Sequence, residues 1–389
     1  MTDIRILFYV QHLLGIGHLR RAATLTRALQ RAGLRTTLVS GGHEIPGLDL
    51  AGADFVQLDP TRASDETFKT LVAADDTRID DAWRERRRER LVATWREVRP
   101  HVLIFELFPF GRRQMRFEIL PLLELARAAR ERPLVVSSVR DILVGQQKPE
   151  REREMVELVR TYFDRVLVHG DPALIPFDRT FPPAREIADR LSYTGYVVDE
   201  TGLAGDDGEA GRDEVLVSAG GGATGERLLA TAIAARPHTA PAGRRWRILV
   251  GAAASEASFA ALRDAAAAQE GILVERARGD FPRLLRRCHL SVSQGGYNTM
   301  MEVIQAGCRA LAVPFAGGTE TEQTLRAALL AERGLIQVLD EAKLSVPALA
   351  AAIDRTAAAP SPGLAGIDQN GAACAAALLR QWAERIPWR

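Results

Sequence analysis

With 389 residues, 47% hydrophobic and 26% charged, the chain has the apolar material for a large core and the length of two domains. Its 51 Lys plus Arg against 50 Asp plus Glu leave a formal charge of +1, which argues against nucleic acid as the main partner. Cys288, Cys308 and Cys374 have neither CxxC nor His-bearing metal spacing and read as free thiols in a reducing compartment, and no apolar run approaches the ~20 residues of a membrane span.

The chain enters almost at once into IRILFYV, a continuous apolar run of the kind shown by a parallel strand buried on both faces. The run is too short for a signal-peptide core with its cleavage site, so a cytoplasmic protein is expected. Gln11 to Gly17 is the turn after it, and a helix follows from about Leu19, with Ala22, Leu25 and Leu29 on one face and Gly33 just past its end. The turn carries GIGH but lacks the third glycine and the downstream acid of a dinucleotide fingerprint, so it is weak as an NAD site. His18 sits where this loop meets the helix, on the crevice side of the sheet, and reads either as a helix cap or as a functional group. His12 and His43 read as structural. Between residues 60 and 100 the chain is highly charged, and WRERRRER at 83–90 reads as a solvated helix face, with contact to anionic lipid head groups as the minority reading.

Three further strands, HVLIFEL, PLVVSSV and RVLVHG, deliver Glu106, the pair Arg140 and Asp141, and His169 at their C-terminal ends, the edge where open α/β sheets bind ligands. A domain boundary follows Tyr196, because VVDETGLAGDDGEAGRDE is rich in Gly, Asp and Glu and lacks apolar periodicity. VLVSAGGGATGERLLATAI then repeats the strand, Gly-rich turn and helix pattern. Gly220, Gly221 and Gly222 leave backbone N–H groups able to approach a pyrophosphate, with Thr224 as an added hydroxyl; close strand–helix packing is the competing reading.

Ser291 to Gln323 reads as a strand, a Gly-bearing turn, a short helix, a second strand and a polar loop: a βαβ unit with a phosphate site built in. Gln294, Gly295 and Gly296 form the turn, and Asn298 and Thr299 open a helix that Gly307 closes. The free N–H groups and positive dipole end of such a helix attract phosphate oxygens. Glu302 lies four residues after Asn298, on the same helical face, placed to accept the hydroxyls of a ribose.

These residues carry a resemblance. QGGYNTMME followed by AVPFAGGTETEQ resembles the nucleotide-sugar signature of GT-B glycosyltransferases, in particular the family 28 type. Laid over the plant-type signature HCGWNSxxE, Gln294 falls at its His, Gly296 at its Gly, Tyr297 at its Trp, Asn298 and Thr299 at its phosphate contacts, and Glu302 at its ribose carboxylate. Glu322 and Gln323 fall at the acid–Gln pair that holds the donor sugar. Gln replaces His at 294, and the longer final loop makes Glu320 a competitor of Glu322. GIGHLRRA, SSVRDIL, YFDRVLVHGDPALIPFD and LSYTGYV resemble a bacterial group of glycosyltransferases related to family 28.

The resemblance implies an α/β protein of GT-B architecture, two Rossmann-like parallel-sheet domains facing a cleft. Residues 1–196 would hold the acceptor, 197–213 link, 214–368 bind the nucleotide sugar, and 369–389 form a helix crossing back to the N-terminal domain. It implies transfer of a hexose or N-acetylhexosamine from a nucleotide sugar, UDP-linked by expectation, to a hydroxyl on a small or lipid-linked acceptor, with no metal and no cofactor. His18, supported by Glu106, would take the hydroxyl proton. Phe281 and the backbone at Ala277 and Arg278 would flank the base. Competing readings are a nucleotide-sugar hydrolase or 2-epimerase of similar architecture, and a nucleotide-binding module without catalysis.

Overall fold

The computed structural model describes residues 3–13, 16–64, 70–143, 148–199, 208–219, 225–252, 254–315, 322–363 and 366–386. The chain forms two compact units, Met1–Val198 with Ile367–Arg389, and Asp199–Gly366.

In the first unit the apolar runs become strands: β1 (Arg5–Val10), β2 (Arg35–Ser40), β3 (Asp54–Gln57), the antiparallel pair β4 (Thr61–Ala63) and β5 (Leu71–Ala73), then β6 (Val102–Glu106), β7 (Leu134–Arg140), β8 (Arg165–His169) and β9 (Leu191–Tyr193). All but β4 and β5 make one parallel sheet, ordered β3-β2-β1-β6-β7-β8-β9. Successive residues of β1 point to opposite faces. Leu7 and Tyr9 join a core with Phe105, Phe108, Ile119 and Val159, while Ile6, Phe8 and Val10 join another with Leu25, Leu29 and Leu379. Helices α1 (Gly17–Arg31), α2 (Asp81–Val98), α3 (Arg116–Ala128) and α4 (Pro149–Tyr162) connect the strands. Helix α1 begins at Gly17, two residues before the expected start, so His18 lies inside its first turn.

Helix α2 departs from the expectation of a wholly solvated charge run. Asp80 caps it, accepting from the Trp83 N–H at 2.7 Å, and this sets the phase that turns Trp83 and Arg87 inward. Arg87 is fully buried and reaches the equally buried Glu118 of α3 at 2.7 Å.

The second unit repeats the plan with β10 (Val215–Ser218), α5 (Glu226–Ala235), β11 (Trp246–Val250), α6 (Glu256–Ala266), β12 (Ile272–Arg276), the short α7 (Phe281–Leu285), β13 (Leu290–Ser293), α8 (Tyr297–Ala306), β14 (Ala310–Ala312), α9 (Glu322–Glu332), β15 (Gln337–Val338) and α10 (Val346–Ala358). Its sheet is parallel and ordered β12-β11-β10-β13-β14-β15 around a core that includes Trp246, Ile248, Val292 and Leu349.

The last helix, α11 (Gly371–Glu384), belongs to the first unit, where Ala375, Leu379 and Ala383 pack into the core that holds Leu25 and Leu29 of α1. The chain leaves and re-enters that unit at one place. Val197 pairs with Asn370, the Tyr196 N–H donates to the Asp368 carbonyl at 2.7 Å, and the Gly371 N–H donates to the Tyr196 carbonyl at 3.0 Å. Val197 and Val198, expected as the start of the linker, are buried here.

Each sheet has a point where strand order reverses, between β1 and β6 in the first and between β10 and β13 in the second. Connections leaving the two strands at such a point diverge to opposite faces and open a crevice at their C-terminal ends, the usual ligand position in open α/β sheets.

Candidate active site

In the first unit the reversal point brings together the end of β6 and the first turn of α1. His18 Nδ1 lies 2.9 Å from Glu106 Oε1, with the His18 side chain 16% exposed and Glu106 buried. Arg21, one turn after His18 on the same face of α1, donates its NH2 to the same carboxylate oxygen. The other oxygen, Oε2, accepts from Ser138 Oγ at 2.6 Å. Burial alone would raise the Glu106 carboxyl. The Arg21 charge and the hydrogen bonds from His18 and Ser138 override it and hold the group well below the usual carboxylate range.

Ionised Glu106 can only accept, and this fixes the protons around it. His18 must carry its proton on Nδ1, which leaves a lone pair on Nε2. Ser138 spends its hydroxyl proton on Glu106, so its 2.9 Å contact with His169 Nε2 requires an N–H there, and His169 Nδ1 lies 2.9 Å from Thr194 Oγ1. Buried His169 is pushed down to about 3, by burial first and the Arg21 charge second, so the imidazole is neutral. A polar row thus runs along the ends of β6, β7, β8 and β9, from His18 through Glu106, Ser138 and His169 to Thr194. His18 itself is driven well below the ordinary imidazole value by burial, then by the charge of Arg112, with the Glu106 bond pulling the other way. Sequence reading named His18 and Glu106 but not Arg21 or Ser138, and left His169 between structure and function. The spacing of Arg21 from His18 was the available signal.

In the second unit the reversal point lies between Ser218 of β10 and Ser293 of β13, which are paired in register. Gly220, Gly221, Gly222 and Thr224 lie outside the described residues, as do Gly15 and Glu320. Their flanks are informative: Ala219 and Gly225 lie close together, and Gln294 Oε1 would sit 2.9 Å from a Cβ placed on Gly225. Gly225 thus lies beside Gln294. Gly295 has φ 72, a left-handed conformation open to glycine at little cost. Gly296 then caps α8 without any side-chain hydrogen bond. Met300 N–H is the first to bond back within the helix, to the Gly296 carbonyl at 2.9 Å, which leaves the amides of Tyr297, Asn298 and Thr299 aimed out of the helix end. Asn298, Thr299 and Glu302 are partly exposed along this helix.

Arg326 of α9 joins the two halves of the signature. Its guanidinium lies 4.8 Å from the centre of the Tyr297 ring and its NH2 lies 3.2 Å from Glu322 Oε1, so the N-terminal turn of α9 sits against that of α8. Glu322 is buried and engaged by Arg326. Next to it, buried Gln323 Oε1 has no hydrogen-bond partner among the described residues, which makes Gln323 the better placed of the pair to meet a ligand. Sequence reading missed Arg326, which lies three residues beyond the signature.

Phe281 opens α7 behind a braced loop in which Asp280 takes a two-pronged bond from Arg278, both at 2.8 Å, and another from Arg283 at 2.6 Å. The Ala277 N–H is spent on the Val250 carbonyl at 2.8 Å, so of the backbone groups expected to flank a base this donor is already used.

Residues 279–373 match the glycosyltransferase family 28 C-terminal domain. Over 83 residues the chain is 31% identical to the UDP-N-acetylglucosamine–N-acetylmuramyl-(pentapeptide) pyrophosphoryl-undecaprenol N-acetylglucosamine transferase of Rhodospirillum centenum, a match over 21% of this chain and 22% of that one. Among solved structures, the calicheamicin glycosyltransferase CalG4 superposes with a TM-score of 0.66 at 16% identity, covering 100% of both chains. MurG of Acinetobacter baumannii gives 0.60 at 12% identity, covering 97% of this chain and 99% of its own. A UDP-glucosyltransferase from Polygonum tinctorium gives 0.62 at 14%, covering 99% of each. The fold is GT-B, and over residues 279–373 the chain resembles family 28 glycosyltransferases.

Proposed function

We propose that the chain is a glycosyltransferase that moves a hexose or N-acetylhexosamine from a UDP-linked donor to a hydroxyl acceptor, without a metal ion. The observation that carries this reading is the open N-terminal turn of α8 inside the segment that matches family 28. Three outward amides and the dipole end provide fixed positive potential where the leaving diphosphate gathers charge, with Asn298 and Thr299 as side-chain donors. Glu302 would take the ribose hydroxyls, Gln323 the donor sugar, and Phe281 the base.

In the first unit His18 would act as general base. Its Nε2 lone pair takes the proton of the incoming hydroxyl, and the imidazolium that forms is stabilised through Nδ1–H by Glu106. Arg21 and Ser138 hold Glu106 ionised and oriented. Acceptors on this reading are small or lipid-linked molecules. A cytoplasmic location is part of the same proposal; no helix among the described residues is long and apolar enough to cross a membrane.

The test is a thermal-shift screen of nucleotide sugars followed by transfer assays with and without EDTA. A donor at 100 times its dissociation constant should add ~2.7 kcal/mol of stability. Stabilisation by UDP-sugars and turnover that survives EDTA are expected. A strict divalent requirement would overturn the metal-free mechanism, and donor cleavage unchanged by any acceptor would favour a hydrolase.

A further inference from the structure

Arg87 of α2 is fully buried, and its pairing with Glu118 uses only part of it. A guanidinium carries five N–H donors in a rigid plane, and here all five are engaged. Nε and one hydrogen of Nη2 go to the two oxygens of Glu118, at 2.7 and 3.0 Å. The other hydrogen of Nη2 goes to Gln11 Oε1, and Nη1 serves two backbone carbonyls, that of Gly41 at 2.8 Å and that of Asp59.

The last three acceptors stand in three different segments at the C-terminal edge of the first sheet. Gln11 follows β1, Gly41 follows β2, and Asp59 lies between β3 and β4. Gln11 extends the tie. Its Nε2 donates to the His12 carbonyl at 2.7 Å and to the Thr61 carbonyl at 3.2 Å, while its own carbonyl accepts from Arg112 Nε, in the turn after β6, at 2.6 Å. Backbone bonds join the same segments: the Gly41 N–H donates to the Val10 carbonyl at 3.0 Å, and the Thr61 N–H to the Gly41 carbonyl at 3.1 Å. A Cβ on Gly41 would collide with Arg87 Nη2 and Gln11 Oε1. Gly41 is not left-handed, so this collision, and not its backbone, is what calls for glycine there.

Stability alone does not call for a charge buried this deeply, because a well-packed apolar pair of similar volume is often as stable. An apolar pair could not, however, hold three loop acceptors at once. We propose that Arg87 is a positioning residue for the acceptor: through Gln11, Gly41 and Asp59 it fixes the segments that border the crevice beside His18, and so sets where the acceptor hydroxyl lies relative to Nε2. This rests on reading His18 as the base and the first unit as the acceptor-binding one. His18 is held separately, by Glu106 with Arg21 and Ser138 behind it, so one device fixes the base and the other fixes the wall beside it.

The experiment separates stability from transfer. Arg87→Lys, Gly41→Ala and the pair Arg87→Met with Glu118→Leu are compared with the wild-type chain in urea unfolding, acceptor kinetics, UDP binding and amide hydrogen exchange. A lysine keeps a charge beside Glu118 but has three donors on one atom, too few for Glu118 and the three loop acceptors together. In all three variants kcat/KM for the acceptor should fall about tenfold or more, because a small misplacement of reacting groups is costly in rate. UDP binding should not change. The acid limb of the pH profile should stay in place, since His18 is governed by burial, by Arg112, Arg140 and Arg21, and by its bond to Glu106. The amides of Gly41 and Thr61 should exchange faster than in the wild type. Transfer that recovers in the double variant in step with stability would reduce Arg87 to a structural residue and overturn the proposal, as would unchanged exchange at Gly41 and Thr61. A wild type that transfers to no acceptor would instead sink the glycosyltransferase reading; faster exchange at these two amides would then still support Arg87 as the tie between the segments.

Discussion

A histidine that hands its Nδ1 proton to a carboxylate keeps its lone pair on Nε2 at any pH where it is neutral, and His18 stays neutral further into acid than a free imidazole. His18→Ala should therefore lower transfer by ~10²-fold or more with donor binding unchanged, as measured by initial rates beside UDP titration. The acid limb of kcat/KM should fall below the ordinary imidazole value. Because the Glu106 bond raises His18 against burial and Arg112, Glu106→Gln should move that limb to still lower pH while reducing the rate; a limb that moves up would contradict the pairing. In the second unit, Glu302→Ala is expected to weaken UDP and UDP-sugar alike, by about tenfold for a lost hydrogen bond to a charged group. Gln323→Ala should weaken the UDP-sugar and leave UDP alone, and equal losses would remove Gln323 from the sugar pocket. Both His18 and Glu106 were legible in the sequence because each ends or follows an apolar run. Ser138 was not, since its hydroxyl meets Glu106 only through the pairing of β6 with β7, which no local pattern encodes.

At the level of elements, apolar runs and glycine punctuation were enough to read the central parallel strands and helix α8 with its closing Gly307, but not the short edge strands β3, β9 and β15. The run at 83–90 was misread because charge density hides phase. Trp83 and Arg87 lie four apart and face inward, and a buried arginine looks like an exposed one until Glu118 is found on another helix. Arg87→Ala should destabilise the first unit by ~3–5 kcal/mol, since it strands a buried carboxylate. Replacing both partners with apolar residues, Arg87→Met with Glu118→Leu, should cost less than stranding the carboxylate, the remaining cost coming from the Tyr9 hydroxyl and the Gln11 side-chain oxygen that lose their partners; urea unfolding of the two variants is the comparison. Gly307 closes α8 at φ 61, and a Cβ there would come within 2.7 Å of the Gly363 backbone. Gly307→Ala is expected to cost at least ~1–2 kcal/mol in the same measurement, from the left-handed penalty before the clash is counted.

Across the whole molecule, buried neutral imidazoles tie stability to pH. His12 and His169 bind protons in the unfolded chain near 6.5 but in the fold only near about 4 and about 3. Between those values the unfolded state holds more protons, so the stabilisation is complete above pH 6.5 and lost as pH falls. Each can remove up to about 1.4 kcal/mol per pH unit in that window. Denaturant midpoints should drop from pH 7 to pH 5, and His169→Gln should flatten the drop. A midpoint unchanged over that range would mean that these rings charge in place.

The seam where Val197 meets Asn370 makes residues 199–366 an insertion, a cassette carried by a host fold whose own two ends meet without it. The host should then survive excision of the cassette with a short Gly-Ser splice in its place, with α11 still seated on α1. For the same reason the cassette is a unit of exchange. On the proposed function, a relative's nucleotide-sugar module grafted at this seam should bring a new donor preference while the acceptor preference set by the first unit is retained.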